Sequence, residues 1–444
     1  MEMREVSIGN KVKIKTSKEI IEGIILESHE QEIILVKLKS GYNIGIKKED
    51  ILDIEIIREK ENTEKSRDFS VSSTSLNWKK IEENKEKKIE IKINKNLPNI
   101  DLIVTGGTIS SKLDYKTGAV SWLTKPEELL EFYPELLSIV NIRQIKIPFM
   151  KASENMDSHD WKKIAEEAEK SLNDKDCKGI IITHGTDTLH YTSAALSFFL
   201  KNLNKPVVLT FSQRSSDRAS SDARLNLICA AHAAISDIAE VMIVGHGSTN
   251  DEYCVALRGT KVRKLHSSKR EAFKPVNCKP IAKIFPDKIE TLSSYNKRDE
   301  NKKVELDNKF NDKIALIKFY PGMEPEIFDY LSQRYEGIVI EVGGLGHIAT
   351  DEARKNLIPA IKKAIDNGLV VCAACQTIYG RLNPLVYSPG RKLLKAGVIF
   401  LEDMLPETAF VKLGWVLGHS GWKARIREKM QENISGEMNA RLEE

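Results

Sequence analysis

Two short apolar runs in this chain each lead straight into a motif of threonine and glycine. Leu102-Ile103-Val104 is followed by Thr105-Gly106-Gly107-Thr108-Ile109, and Gly179-Ile180-Ile181-Ile182 by Thr183-His184-Gly185-Thr186-Asp187-Thr188. Short runs rich in β-branched residues and bounded by turn residues predict buried strands. Glycine just past a strand lets a substrate approach the backbone closely. In open α/β sheets, ligands sit in the crevice outside the carboxyl ends of the strands. The pair of motifs therefore places threonine hydroxyls where an α/β fold keeps its chemistry.

The surrounding pattern agrees. From Asn99 to about Pro321, strand candidates at Asp101 to Val104, Gly179 to Ile182, Val207 to Phe211 and Val241 to Val244 alternate with helix candidates. The helices are Glu127 to Tyr133, Asp160 to Leu172, Leu189 to Asn202 and Ser221 to Ser236. Such alternation builds a parallel sheet with right-handed crossovers. A second α/β unit begins near Lys313. Its strands are Ile314 to Phe319, Gly337 to Glu341, Leu369 to Ala373 and Val398 to Leu401, with helices at Asp351 to Asp366 and Thr408 to Leu417 and a charged helical tail from Lys423 to Glu444. Residues 286–312 are polar and read as an insertion or connection. The first 58 residues differ: five short β-type runs, Lys11 to Lys15, Ile20 to Leu26, Glu32 to Leu38, Tyr42 to Ile46 and Ile51 to Ile57, predict a small β-barrel, SH3-like or OB-like. Residues 59–96, rich in Lys, Glu, Asn and Ser, predict a charged linker, with one edge strand at Lys88 to Asn94. The domains expected are thus 1–58, 59–96, 97–285, 286–312 and 313–444.

Charge excludes little. The formal net charge is +4, too small an excess to argue nucleic-acid binding. No apolar run reaches the ~18 residues that span a bilayer, and Met1 to Asn10 has no signal-peptide core, which predicts a cytoplasmic chain. Of six cysteines, Cys372 and Cys375 spell C-x-x-C. With no second such pair and no neighbouring histidines to complete a zinc site, they read as small residues ending a buried strand. No nucleotide motif and no metal-ligand spacing occurs, so no metal or cofactor is indicated in this chain.

Acyl transfer from an amide needs a nucleophile, a group that takes its proton and donors for the oxyanion. Thr108 lies past a Gly-Gly turn whose N–H groups can face a substrate oxygen, and Thr186 and Asp187 stand at the start of a predicted helix, whose N-terminus favours anions. Alternatively, Thr186 to Thr188 are helix caps and Gly106-Gly107 an ordinary turn.

Taken together, Thr105-Gly106-Gly107-Thr108-Ile109 and His184-Gly185-Thr186-Asp187-Thr188 resemble the signatures of the L-asparaginase/glutaminase family, the threonine amidohydrolases, from Asn99 to near Trp422. The resemblance implies a two-domain asparaginase-like α/β parallel-sheet core, here with an added N-terminal barrel. It implies Thr108 as nucleophile and Thr186 and Asp187 acting with a downstream lysine. Lys261, Lys264 and Lys269 are candidates, and spacing to Ala272-Phe273 favours Lys264. A lysine base must lose its proton through burial or neighbours. The resemblance also implies a flap tyrosine, matched by Tyr115, and a serine for the substrate carboxylate, matched by Ser153. Asp187 would hold the substrate ammonium. Glu154 stands where secreted asparaginases carry Gln, which leaves Gln against Asn preference open. His184 reads as structural.

A barrel and linker before an asparaginase core are similar to the D-subunit family of archaeal glutamyl-tRNA(Gln) amidotransferases. That likeness implies an ammonia-releasing chain that forms a homodimer. It would join the E-subunit of the amidotransferase in a 2:2 assembly. The E-subunit would use ATP and Mg to convert Glu-tRNA(Gln) to Gln-tRNA(Gln). A stand-alone cytoplasmic asparaginase and a non-catalytic RNA- or protein-binding chain remain as alternatives.

Overall fold

The computed structural model describes residues 10–26, 28, 32–38, 43–58, 94–113, 120–122, 133–216, 218 and 220–442, which fall into two compact units. The first unit is built on β1 (Lys11–Thr16), β2 (Ile20–Leu26), β3 (Ile33–Leu38), β4 (Asn43–Lys47) and β5 (Ile51–Arg58). They form an antiparallel sheet in the order β4-β3-β2-β1-β5, so the last strand returns to pair with the first. Five strands are what the five apolar runs predict; their pairing order was not among the sequence expectations. A single 3-10 turn, Lys48–Asp50, carries β4 into β5. Alternation decides the core: Val12, Ile14, Ile21, Ile25, Val36 and Ile46 point inward, while Lys11 and Glu22 stay in water and Lys13 is half-buried. The expected linker and edge strand lie almost wholly outside the described residues.

The second unit opens with an eight-stranded sheet. Its strands are β6 (Asn99–Val104), β7 (Asn141–Lys146), β8 (Ile180–Thr183), β9 (Val207–Thr210), β10 (Val241–His246) and β11 (Cys254–Arg258). A hairpin of β12 (Val262–Lys264) and β13 (Phe273–Pro275) stands apart. The sheet resumes with β14 (Ala282–Ile284) and β15 (Ile289–Thr291), in the order β15-β14-β11-β10-β9-β8-β6-β7. From β7 to β10 all pairs are parallel, as the β-α alternation predicts. Beyond β10 the sheet turns antiparallel, which the sequence reading did not anticipate. It also missed β7, an edge strand whose sequence Asn-Ile-Arg-Gln-Ile-Lys is too polar to stand out.

Helices α1 (Ser158–Leu172), α2 (Leu189–Phe199) and α3 (Ala223–Ala234) cover this sheet. Asp157 starts α1 with a reciprocal capping box to Asp160. The expected helix at Glu127 to Tyr133 lies outside the described residues except at Tyr133. Residues 286–312 are tied down: Arg298 donates to the carbonyls of Lys178 and Ser236, and Trp415 donates to that of Asp307.

The second sheet is four parallel strands in chain order, β16 (Ile314–Lys318), β17 (Gly337–Val342), β18 (Val370–Cys375) and β19 (Ile399–Phe400). Helices α4 (Glu326–Arg334), α5 (Ile358–Asp366), α6 (Ser388–Ala396), α7 (Pro406–Leu417) and α8 (Ile426–Gln431) accompany them. Period-two alternation gives β17 and β18 two cores. Val339, Cys372 and Ala374 share the main core with α2 and α7, and Ile338, Ile340, Val371 and Ala373 pack in a second core with residues of α4 to α6. Cys372 and Cys375 are buried in β18, where burial raises their thiols to about 12 and about 11, as inert core cysteines.

Two helix expectations need correction. The helix predicted from Asp351 starts only at Ile358, because Pro359 has no N–H to give and fits only a first turn. The predicted charged tail helix shrinks to α8. Beyond it the chain is irregular and held by a buried ion pair, Lys412 Nζ to Glu437 Oε1 at 2.6 Å, both side chains fully buried. Glu437 also accepts from the N–H groups of Ile434 and Ser435. No helix among the described residues is long and apolar enough to cross a membrane.

Glu437→Ala strands the Lys412 ammonium in the interior. It is expected to cost about 3–5 kcal/mol in denaturant unfolding and to abolish hydrogen-exchange protection in residues 432–442.

Candidate active site

The two threonine motifs meet at the carboxyl ends of β6 and β8, which lie side by side with Val104 opposite Thr183. Thr105 joins them twice: its N–H and its hydroxyl both donate to the Thr183 carbonyl, at 3.2 and 2.7 Å. The chain then turns at Gly106 (φ 117°) and Gly107 (φ 83°), left-handed values that favour glycine. A Cβ on Gly106 would sit 2.3 Å from the Lys151 carbonyl oxygen, and one on Gly107 2.4 Å from the Gly185 nitrogen. Gly107 therefore allows the first motif to lie directly on the second, and Gly106 allows it to lie against the backbone of Lys151.

Thr108 opens a 3-10 turn, Thr108–Ser110, and is half-buried. Ser111 Oγ donates to its carbonyl at 2.6 Å, and Ser216 Oγ to that of Ile109 at 2.6 Å, so the turn is held from behind. Two short strands follow, Ser111–Leu113 and Val120–Trp122. Tyr115, between them, lies outside the described residues.

Thr186, Asp187 and Lys264 converge. Lys264 Nζ donates to Thr186 Oγ1 at 2.8 Å and to Asp187 Oδ1 at 2.7 Å. The lysine side chain is 10% exposed and the aspartate 63%, so the pair has one inner and one outer member. The neighbouring lysines separate cleanly. Lys261 is buried against Asp403 Oδ2 at 2.7 Å, and Lys269 is exposed. Of the three candidates, Lys264 is the one brought to Thr186.

Ser153 lies on a 3-10 turn, Ser153–Asn155, and is buried. Its hydroxyl accepts from the N–H groups of Asp187 and Thr188 at 3.1 and 3.4 Å, while Thr188 Oγ1 donates to its carbonyl at 2.6 Å. Thr188 thus spends its hydroxyl on Ser153 and does not cap α2. Glu154, next on the turn, is exposed. His184 is fully buried, with Nδ1 2.7 Å from the Gly185 carbonyl and Nε2 2.9 Å from Thr192 Oγ1, and burial lowers its pKa to about 4. It is structural, as its motif suggests.

One polar group escaped the sequence reading. Arg263, beside Lys264 on β12, places Nη2 2.9 Å from Glu407 Oε1 at the first turn of α7. Burial raises the Glu407 carboxyl, and Arg263 opposes that shift. His190 lies 4.0 Å from the same oxygen, and burial, with Arg263 and Lys264, takes its pKa down to about 3. It is neutral at pH 7, so that approach is not an ion pair. No sequence signal marks the pair: Arg263 sits in a basic stretch with Lys261, Lys264 and His266, and Glu407 follows Glu402 and Asp403.

The chain is similar to known proteins along almost its whole length. Residues 99–297 match the family model for the N-terminal asparaginase domain, and residues 313–430 that for the glutaminase/asparaginase C-terminal domain. Residues 6–57 match the GatD N-terminal domain. The glutamyl-tRNA(Gln) amidotransferase D-subunit of Thermococcus kodakarensis is 48% identical over 448 residues, covering 99% of this chain and 96% of that one. The chain belongs to the glutamyl-tRNA(Gln) amidotransferase D-subunit family. Other members of this family, from Pyrococcus furiosus and Methanosphaera stadtmanae, are 48% and 42% identical, and this chain spans 96% of each. The thermostable L-asparaginase of Thermococcus kodakarensis superposes with a TM-score of 0.67 at 30% identity, and L-asparaginase I of Vibrio cholerae with 0.66 at 28%. Each structure covers 77% of this chain and is itself 99% covered. The D-subunit family thus shares the asparaginase core and adds the N-terminal domain.

The buried histidines set a pH response. His184 titrates near 4 when folded against an ordinary 6.5, so the unfolded chain takes up its proton first on acidification. Stability is whole above 6.5 and is lost as pH falls toward 4. His184→Gln is expected to remove about one proton from the pH slope of the unfolding free energy over that window, measured by denaturant titration at a series of pH values.

Proposed function

We propose that this chain is the ammonia-releasing member of a glutamyl-tRNA(Gln) amidotransferase, hydrolysing the side-chain amide of Gln or Asn through Thr108. The observation that carries the reading is the convergence of Lys264 on Thr186 and Asp187, 2.8 and 2.7 Å away, at the strand end against which the Gly107–Thr108 turn is packed. A scaffold without activity has no physical need for that arrangement.

The steps follow from the groups present. Thr108 Oγ attacks the carboxamide carbon, and its proton leaves with the amide nitrogen as ammonia. This gives an acyl-threonine ester. Water then attacks the ester and restores the threonine hydroxyl, releasing glutamate or aspartate. Backbone N–H groups in the glycine turns are candidates for the oxyanion. Lys264 links the Thr186 hydroxyl and the Asp187 carboxylate in one hydrogen-bonded chain, along which a proton can pass during the two acyl-transfer steps. For binding, the Ser153 hydroxyl already accepts two N–H donors, so its own proton is left for the substrate carboxylate. Asp187 gives one oxygen to Lys264 and is 63% exposed, leaving the other for the substrate ammonium. Tyr115 would close over the bound amide.

No cofactor is needed for these steps. In this reading ATP and Mg act on a partner, the E-subunit, which activates the glutamyl group on tRNA(Gln) for attack by the ammonia released here. A homodimer within a 2:2 assembly completes the proposal. Near-full-length similarity to D-subunit proteins, rather than to asparaginases over the core alone, favours this over a stand-alone asparaginase.

Thr108→Ala and Lys264→Met are each expected to cut ammonia release from Gln by about a thousandfold or more, with circular dichroism and melting unchanged. Adding glutamylated tRNA together with the E-subunit should accelerate the parent chain. Near-normal release by Thr108→Ala would overturn the reading.

A further inference from the structure

The segment that carries Lys264, residues 260–264, is fastened to the second α/β domain at three points. The Thr260 carbonyl accepts from Thr408 Oγ1 at 2.9 Å. Lys261 Nζ reaches the Asp403 carboxylate and carbonyl at 2.7 and 3.0 Å. Arg263 reaches Glu407 at 2.9 Å. All three partners lie in residues 403–408, the entry to α7. Because side chains alternate along a strand, Arg263 and Lys264 leave β12 on opposite faces. One goes to Glu407, the other to Thr186 and Asp187.

We propose that Arg263 and Glu407 are positioning residues: their ion pair sets the register of β12 against α7 and so places the Lys264 ammonium between Thr186 and Asp187. The inference rests on the catalytic role proposed above for Lys264. It makes the second domain, which supplies none of the residues assigned to the chemistry, the anchor for the lysine.

The tie at Arg263 is the one closest to the chemistry, and it is finely balanced. Glu407 is 6% exposed, its second oxygen has no hydrogen-bond partner among the described residues, and neither does Nδ1 of neighbouring His190. Arg263 is therefore the main compensation for a buried carboxylate, and removing either partner leaves the other uncompensated. The relaxation falls on β12, a three-residue strand paired only with β13. Lys264 is the residue that feels it, and a displacement of about 1 Å at a catalytic group can cost about a hundredfold in rate.

The test measures kcat and KM for ammonia release from Gln in the full chain with its partner. The variants are Glu407→Gln, Arg263→Met, Arg263→Lys and Lys264→Met. Glu407→Gln and Arg263→Met are expected to lower kcat by about ten- to a hundredfold with KM within about threefold, while Arg263→Lys recovers most of the loss. Wild-type kcat in Glu407→Gln or Arg263→Met, with Lys264→Met inactive, overturns the positioning role and leaves the catalytic one standing. An active Lys264→Met overturns the catalytic role itself. Loss that tracks the unfolded fraction by circular dichroism, with no rescue by Arg263→Lys, assigns the pair to stability alone and overturns the proposal.

Discussion

At the ends of β6 and β8 two backbones come so close that neither could carry a side chain at the point of contact. Gly107 rests on Gly185, and a methyl group at either would strike the other motif or Ser153 at 2.8 Å or less. Steric exclusion of this kind is absolute on the scale of the weaker forces around it. It fixes where the turn at Thr108 begins, and the double donation from Thr105 to the Thr183 carbonyl then locks the turn to its neighbour. Ser153 closes the third side by accepting from the backbone of Asp187 and Thr188. Three loops from three different stretches of chain are thereby one rigid body, held on strand ends rather than on mobile loops. That is the preorganisation which an attack on an unactivated amide requires.

The remaining member, Lys264, comes from outside the sheet, on a hairpin, and is held by charge instead of by close backbone contact. Lys261 with Asp403 and Arg263 with Glu407 join the two α/β domains, and Lys412 with Glu437 binds the tail. Each places charge where water is scarce and works only because its partner replaces the lost hydration, with backbone carbonyls helping at Lys261 and Lys412. Apolar packing brings the domains together through the shared core around α2 and α7. Packing alone tolerates small slips. Paired charges with fixed hydrogen-bond directions do not, which suits them to placing a lysine.

Much of this was legible in the chain. The five runs before residue 58 became β1 to β5 with shifts of a residue at most, because alternating Ile, Val and charge has no stable reading other than a half-buried strand. The parallel strands β6, β8, β9 and β10 were visible as continuous apolar runs buried on both faces. The polar edge strand β7, the antiparallel extension from β11 onward and helices α4 and α6 were not. Edge strands and amphipathic surface helices carry mixed sequence, and their structure depends on what they pack against. The tail misled for the same reason: its charge looks like a solvated helix face, while Glu437 is in fact inside.

The sequence by itself determined the strand periodicity, the glycines at the two turns and the presence of threonine and aspartate beside them, because these are local properties of a few consecutive residues. Tertiary structure decided which of Lys261, Lys264 and Lys269 reaches the threonine, that Arg263 meets Glu407, and that the Ser153 hydroxyl binds the second motif. Those outcomes depend on groups far apart in the chain, whose meeting is set by domain packing and by the cost of leaving any buried charge without a partner.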